Sequence, residues 1–144
     1  MAVPPIAPQG MHHVAIQCRD LVVMERFYAR VLRLRVVRRW PAQPDDPLGG
    51  DRSVWFALGT GVLALERCTG DVEALPWQSD RPGMHLLALS IFRHGREVWR
   101  SYLAEQGVEV VYASPWTLYV RDPEGNRIGL SHFPDAVPAE SPGE

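Results

Sequence analysis

The side chains best suited to chemistry in this chain are few and sit in apolar surroundings. His13 opens an alternating stretch, His13-Val14-Ala15-Ile16-Gln17-Cys18, and Glu66 stands near the end of the otherwise apolar run Val62-Leu63-Ala64-Leu65. An imidazole and a carboxylate can work together as a general acid and base, or can give nitrogen and oxygen donors to a divalent cation. A carboxylate in an apolar strand needs a partner or a shifted pKa to be tolerated, which makes Glu66 a site candidate. The bland alternatives are a strand-end ion pair of Glu66 with Arg67 or Arg39, and a backbone-bonded His13 at a strand start.

Strand parity extends this set. If Val14, Ile16 and Cys18 meet the core, His13, Ala15 and Gln17 point the other way, because successive side chains of a strand alternate. The stretch Gly10-Met11-His12-His13-Val14-Ala15-Ile16 restarts as Gly83-Met84-His85-Leu86-Leu87-Ala88-Leu89. Aligned this way, His85 matches His12, and Leu86 matches His13. Leu87, Leu89 and Ile91 form the apolar face, so Leu86, Ala88 and Ser90 face away from it. A one-residue register shift would restore His85 as a counterpart of His13, at the cost of flipping the whole strand. Parity in the later strands adds Thr117, Tyr119, Arg127 and Ser131. The expected cavity therefore presents His13 and Glu66 as catalytic candidates and Gln17, Ser90, Thr117, Tyr119, Arg127 and Ser131 as substrate-binding ones, with Trp55 or Phe56 and Trp116 near its rim. A few convergent polar groups in an apolar cup describe a small-molecule site.

The elements that must carry these residues follow from periodicity and turn chemistry. Strand 13–18 leads, through Asp20 as N-cap, to a helix with Leu21, Met24, Phe27, Tyr28, Val31 and Leu32 at helical spacing. Strands are expected at 34–40, 53–58 and 62–68, the last two joined by Gly59-Thr60-Gly61. Beyond a linker at 69–82 the pattern repeats: strand 86–91, a helix over 95–106 with Val98, Trp99, Tyr102 and Leu103 inward and Gly107 as its stop, then strands 108–114, 116–121 and 126–133. The last hairpin turns on Asp122-Pro123-Glu124-Gly125, a type I turn sequence followed by a left-handed residue. Two units of strand, helix and three strands predict an α+β fold in which two βαβββ modules, 11–68 and 83–134, build one cupped, incompletely closed sheet and a single domain over 11–134. The Pro-rich ends, 1–10 and 135–144, read as loose extensions.

Composition narrows the function classes. The 144 residues are 46% hydrophobic and 22% charged with a formal net charge of -2, and all the basic residues are Arg, scattered among acidic ones. The basic stripe of a phosphate-backbone binder is missing, so no nucleic-acid partner is expected. No apolar run approaches the roughly 20 residues of a membrane span and no leader pattern opens the chain, so neither a membrane partner nor export is expected. Cys18 and Cys68, distant and outside any C-x-x-C pair, fit reduced thiols in the cytoplasm. Gly59-Thr60-Gly61 opens a strand where a dinucleotide fingerprint would open a helix.

Taken in order, His12-His13-Val14-Ala15-Ile16 with Asp20, Phe27-Tyr28 followed by Val31-Leu32, and Asp122-Pro123-Glu124-Gly125-Asn126 resemble the vicinal oxygen chelate superfamily. That superfamily includes glyoxalase I, the bleomycin-resistance proteins, the fosfomycin-resistance enzymes and the extradiol dioxygenases. Arg33 departs from it, standing where the family usually has Gly. The resemblance implies a cupped sheet holding a divalent metal such as Zn, Ni, Fe or Mn, lyase or isomerase-like proton transfer beside a carbonyl or dioxygen chemistry, and a homodimer. Carried onto this chain, the metal ligands would be His13 and Glu66, while the two slots of the second module hold Leu86 and Gly129. Two donors are fewer than the usual three of a catalytic divalent site. Two functions follow: an enzyme working through His13 and Glu66 with an incomplete metal site, and a non-catalytic small-molecule binding protein of the bleomycin-resistance kind.

Overall fold

The computed structural model describes residues 2–73 and 77–138. Positions 1 and 139–144 of the expected extensions, and 74–76 of the expected linker, lie outside the described residues. The chain divides into two compact units, Met1–Glu73 and Ala74–Glu144, each an α+β module with one mixed four-stranded sheet.

The first unit runs β1 (His13–Cys18), α1 (Leu21–Arg26), β2 (Val36–Pro41), β3 (Asp51–Leu58) and β4 (Gly61–Arg67). Its strand order is β1-β4-β3-β2, with β1 parallel to β4 and the other pairs antiparallel. A parallel pair cannot be closed by a tight turn, so a crossover connection is a topological necessity, and α1 lies within it. Asp20 caps α1, its carboxylate accepting from the Val23 N–H at 3.0 Å. The expected single helix over 21–32 is divided, because the chain widens into a π-helical turn at Phe27–Val31 that ends with Leu32 N–H on the Phe27 carbonyl at 3.0 Å. Arg33 then adopts a left-handed φ of 59°. Met24 and Tyr28 are fully buried, as are Val54, Phe56, Leu63 and Leu65 of the sheet. At roughly 1.5–3 kcal/mol for each such side chain, this face holds the module together. Cys18 is buried and Cys68 half-buried, and no disulfide joins them.

The second unit repeats the plan with β5 (Leu87–Ser90), α2 (Arg96–Glu105), β6 (Tyr112–Ala113), β7 (Thr117–Arg121) and β8 (Arg127–Ser131), in the order β5-β8-β7-β6. Three expectations are corrected. A 3₁₀ turn, Arg93–Gly95, precedes α2, and Val98 is 71% exposed where it was expected inward; Leu103 and the unexpected Arg96 take the buried positions. Arg96 is tolerated there because Nη1 lies 3.0 Å from His132 Nε2 and Nη2 donates to the Ser114 carbonyl at 2.8 Å. The strand expected over 108–114 shrinks to two residues, since only Tyr112 and Ala113 find ladder partners on β7.

The β7–β8 turn is held by Asp122, which is buried. Its carboxylate accepts from the Glu124 and Asn126 N–H groups at 2.9 and 3.0 Å and from the Asn126 side-chain amide at 2.7 Å. Gly125, at φ 88°, supplies the left-handed residue that this turn requires. Among the described residues no helix is long and apolar enough to cross a membrane.

Candidate functional site

In the first unit, strand pairing defines three rows across the open face. Gln17, Glu66, Ser53 and Trp40 form one; Ala15, Ala64, Trp55 and Arg38 the next; His13, Val62 and Ala57 the third. Alternation holds along β1: His13, Ala15 and Gln17 are exposed, while Cys18 is buried. His13 and Glu66 therefore share a face but not a row. Glu66 stands four residues along β4 from Val62, the partner of His13, which is about 13 Å at about 3.3 Å per residue. Trp55 occupies the row between them. Its ring stacks beside His13 at 5.9 Å between centroids, meets Trp40 edge-on at 5.8 Å, and its Nε1 donates to Ser53 Oγ at 3.0 Å. His13 also lies with Nδ1 2.9 Å from Nδ1 of His12, so one imidazole donates and the other accepts.

Glu66 is half-buried and faces a hollow of about 310 Å³ lined by Trp40, Pro41, Gln43, Arg52, Ser53 and Trp55. The arginines that sequence reasoning offered as its neutralisers are engaged elsewhere. Arg67 pairs with Asp46, and Arg39 with Glu25 and Asp51. Hydrogen bonds to Glu25 first, then to Asp51, hold the Arg39 guanidinium above its ordinary pKa range. Of the two aromatic rim candidates on β3, Trp55 takes the open face. Phe56 is fully buried against Tyr28 at 6.1 Å.

The second unit places Ser90, Ser131 and Thr117 in one row and Ala88, Gly129, Tyr119 and Tyr112 in the next, with Arg127 opposite Arg121 beyond them. Thr117 Oγ1 donates to Ser131 Oγ at 2.8 Å, which ties these two hydroxyls to each other. Leu86 lies over Gly129. A Cβ added at Gly129 would stand 3.0 Å from Thr117 Cγ2 and 3.4 Å from Leu86 Cδ1, so this slot has no room for a longer side chain without a shift. His85 precedes β5, and its Nε2 lies 3.3 Å from Arg127 Nη1. Trp116 is exposed and packs edge-on with Phe133.

The family model of the Glyoxalase/Bleomycin resistance protein/Dioxygenase superfamily matches residues 10–130, nearly the whole chain. The chain belongs to this superfamily. Solved structures agree in fold. A glyoxalase/dioxygenase from Nostoc punctiforme superposes with a TM-score of 0.73 at 19% identity over 93% of this chain and 99% of that one. A lactoylglutathione lyase from Agrobacterium tumefaciens gives 0.63 at 19% over 88% and 95%. A point mutant of the genomically encoded fosfomycin resistance protein FosX from Listeria monocytogenes, complexed with Mn(II) and 1S,2S-dihydroxypropylphosphonic acid, gives 0.67 at 13% over 87% and 93%. No protein of curated function matches the chain significantly by sequence.

Members of this superfamily such as that FosX bind a divalent metal. The donors here do not fit one. Among the described residues no three His, Cys, Asp or Glu side chains converge as a ligand group. The two residues that the resemblance nominates, His13 and Glu66, are held apart by the β1–β4 register with an indole between them. Parity in the sequence nominated Glu66 and Ser131; Trp40 and Ser53, which line the same hollow as Glu66, were not among its candidates. Trp40 and Ser53 become visible only when cross-strand partners are known.

Proposed function

We propose that the chain is a small-molecule binding protein of its superfamily and acts by holding its ligand, the second of the two functions raised by the sequence. The observation that carries this reading is Glu66, a half-buried carboxylate with no ion-pair partner among the described residues, lining one hollow with Trp40 and Trp55. A carboxylate beside indole faces suits a ligand carrying both a positive charge and a planar ring, since the charge pairs with the acid and the ring or cation stacks on the indole. The cavity volume is at the small end of known ligand pockets. One face of Trp40 already carries a guanidinium, that of Arg38 at 3.8 Å, which supports a cation-binding reading of that surface. Concerted acid–base work by His13 and Glu66 on one atom is disfavoured by their separation, because proton transfer needs both groups within hydrogen-bond reach.

The test is a thermal-shift screen of aromatic ammonium compounds against α-oxo thioesters, followed by calorimetry on the hits. An aromatic cation should bind without being turned over. Glu66→Gln should weaken that binding at least tenfold, about 1.4 kcal/mol, and Trp55→Ala by a similar factor. Turnover of an α-oxo thioester that is lost alike in His13→Ala and Glu66→Gln would restore the enzyme reading. On the family resemblance and two cysteines that no disulfide joins, we infer a cytoplasmic homodimer, which sedimentation mass and cell fractionation check separately.

A further inference from the structure

The open face of the second sheet carries a different cluster. Arg121 and Arg127 are direct cross-strand partners at the turn end of β7 and β8, and like charges in that position destabilise a strand pair. Arg67 and Arg39, by contrast, each pair with a carboxylate. Here neither guanidinium meets a carboxylate among the described residues. Arg127 lies over the rings of Tyr119 and Trp77, at 4.2 and 4.7 Å, and Arg121 over Trp77 at 5.1 Å. Arg121 Nη1 reaches only the Gly125 carbonyl at 3.4 Å, and Arg127 Nη1 faces His85 Nε2 at 3.3 Å. Because Arg127 can only donate, that imidazole nitrogen is placed as the acceptor. Trp77 is fixed in turn by its Nε1, which donates to the His85 carbonyl at 2.7 Å.

Ring faces orient a guanidinium without neutralising it, and the remaining N–H donors keep the fork geometry that suits oxyanions. We propose that Arg121 and Arg127, walled by Trp77 and Tyr119, bind the oxyanionic group of a small molecule, whether carboxylate, phosphate or phosphonate. An anion between the two guanidinium groups would remove the like-charge repulsion that the strand pair otherwise carries. The site lies in the other compact unit from Glu66 and stands or falls independently of the cation reading given to that hollow.

Calorimetry with inorganic phosphate and with succinate, each titrated at constant ionic strength set by NaCl, tests the proposal and separates the two anion types. At least one should bind saturably, and Arg127→Gln and Arg121→Gln should each weaken it at least tenfold. Arg26→Gln, which removes an exposed guanidinium from α1 of the first unit, should leave it unchanged. Arg121 is exposed, so R121Q keeps the test valid if R127Q fails to fold. The proposal is overturned if neither anion saturates at constant ionic strength, or if R121Q binds as tightly as the native chain.

Discussion

Arg33 shows what one residue type costs in the wrong backbone region. It follows the π-helical turn at φ 59°, a conformation that crowds any side chain with a Cβ and that glycine adopts freely. The resemblance pointed to Gly at this position, and the structure supplies the reason: the chain must reverse there to enter β2. Arg33→Gly should therefore stabilise the protein by about 0.5–1 kcal/mol, read as a raised urea midpoint with an unchanged slope. A fall in stability would mean that the guanidinium makes a compensating contact. Glu66 is the opposite case, a residue whose type fits its strand poorly and whose expected neutralisers, Arg39 and Arg67, are each bound to other acids. An ill-fitting carboxylate left without its counter-charge is the ground on which we propose Glu66 as a binding group.

Among the elements, the β7–β8 hairpin depends on one side chain. Asp122 accepts three hydrogen bonds within the turn and sits buried while doing so. Asp122→Ala leaves those donors unmatched and should cost about 1–3 kcal/mol in chemical denaturation. Because the turn also sets the Arg121–Arg127 register, anion binding should weaken in the same variant. A stable D122A protein with unchanged binding would show that the hairpin register is fixed by packing of Leu118, Val120, Ile128 and Leu130 alone. The departures from periodicity also belong to this scale. Val98 fits a helical apolar stripe, yet Arg96 takes the buried position because His132 and the Ser114 carbonyl offer it hydrogen bonds that no local pattern announces.

For the whole molecule, the prediction that follows from the donor arrangement concerns metal. With His13 and Glu66 in different rows and Leu86 over Gly129, purified protein should contain no stoichiometric Zn, Ni, Fe or Mn, and chelation should leave its melting temperature unchanged. Stoichiometric metal by elemental analysis, lost in both His13→Ala and Glu66→Gln, would overturn this. The βαβββ plan of each module, the capping role of Asp20, the Asp122 turn and the faces of β1 and β5 were legible in the amino acids, because alternation, caps and turns are local and each is written within a few residues. The strand register was not legible, since which residue of β4 stands opposite which residue of β1 depends on packing between segments far apart along the chain. That register, set only in the tertiary structure, parts His13 from Glu66 and brings Trp40 and Ser53 to the side of Glu66.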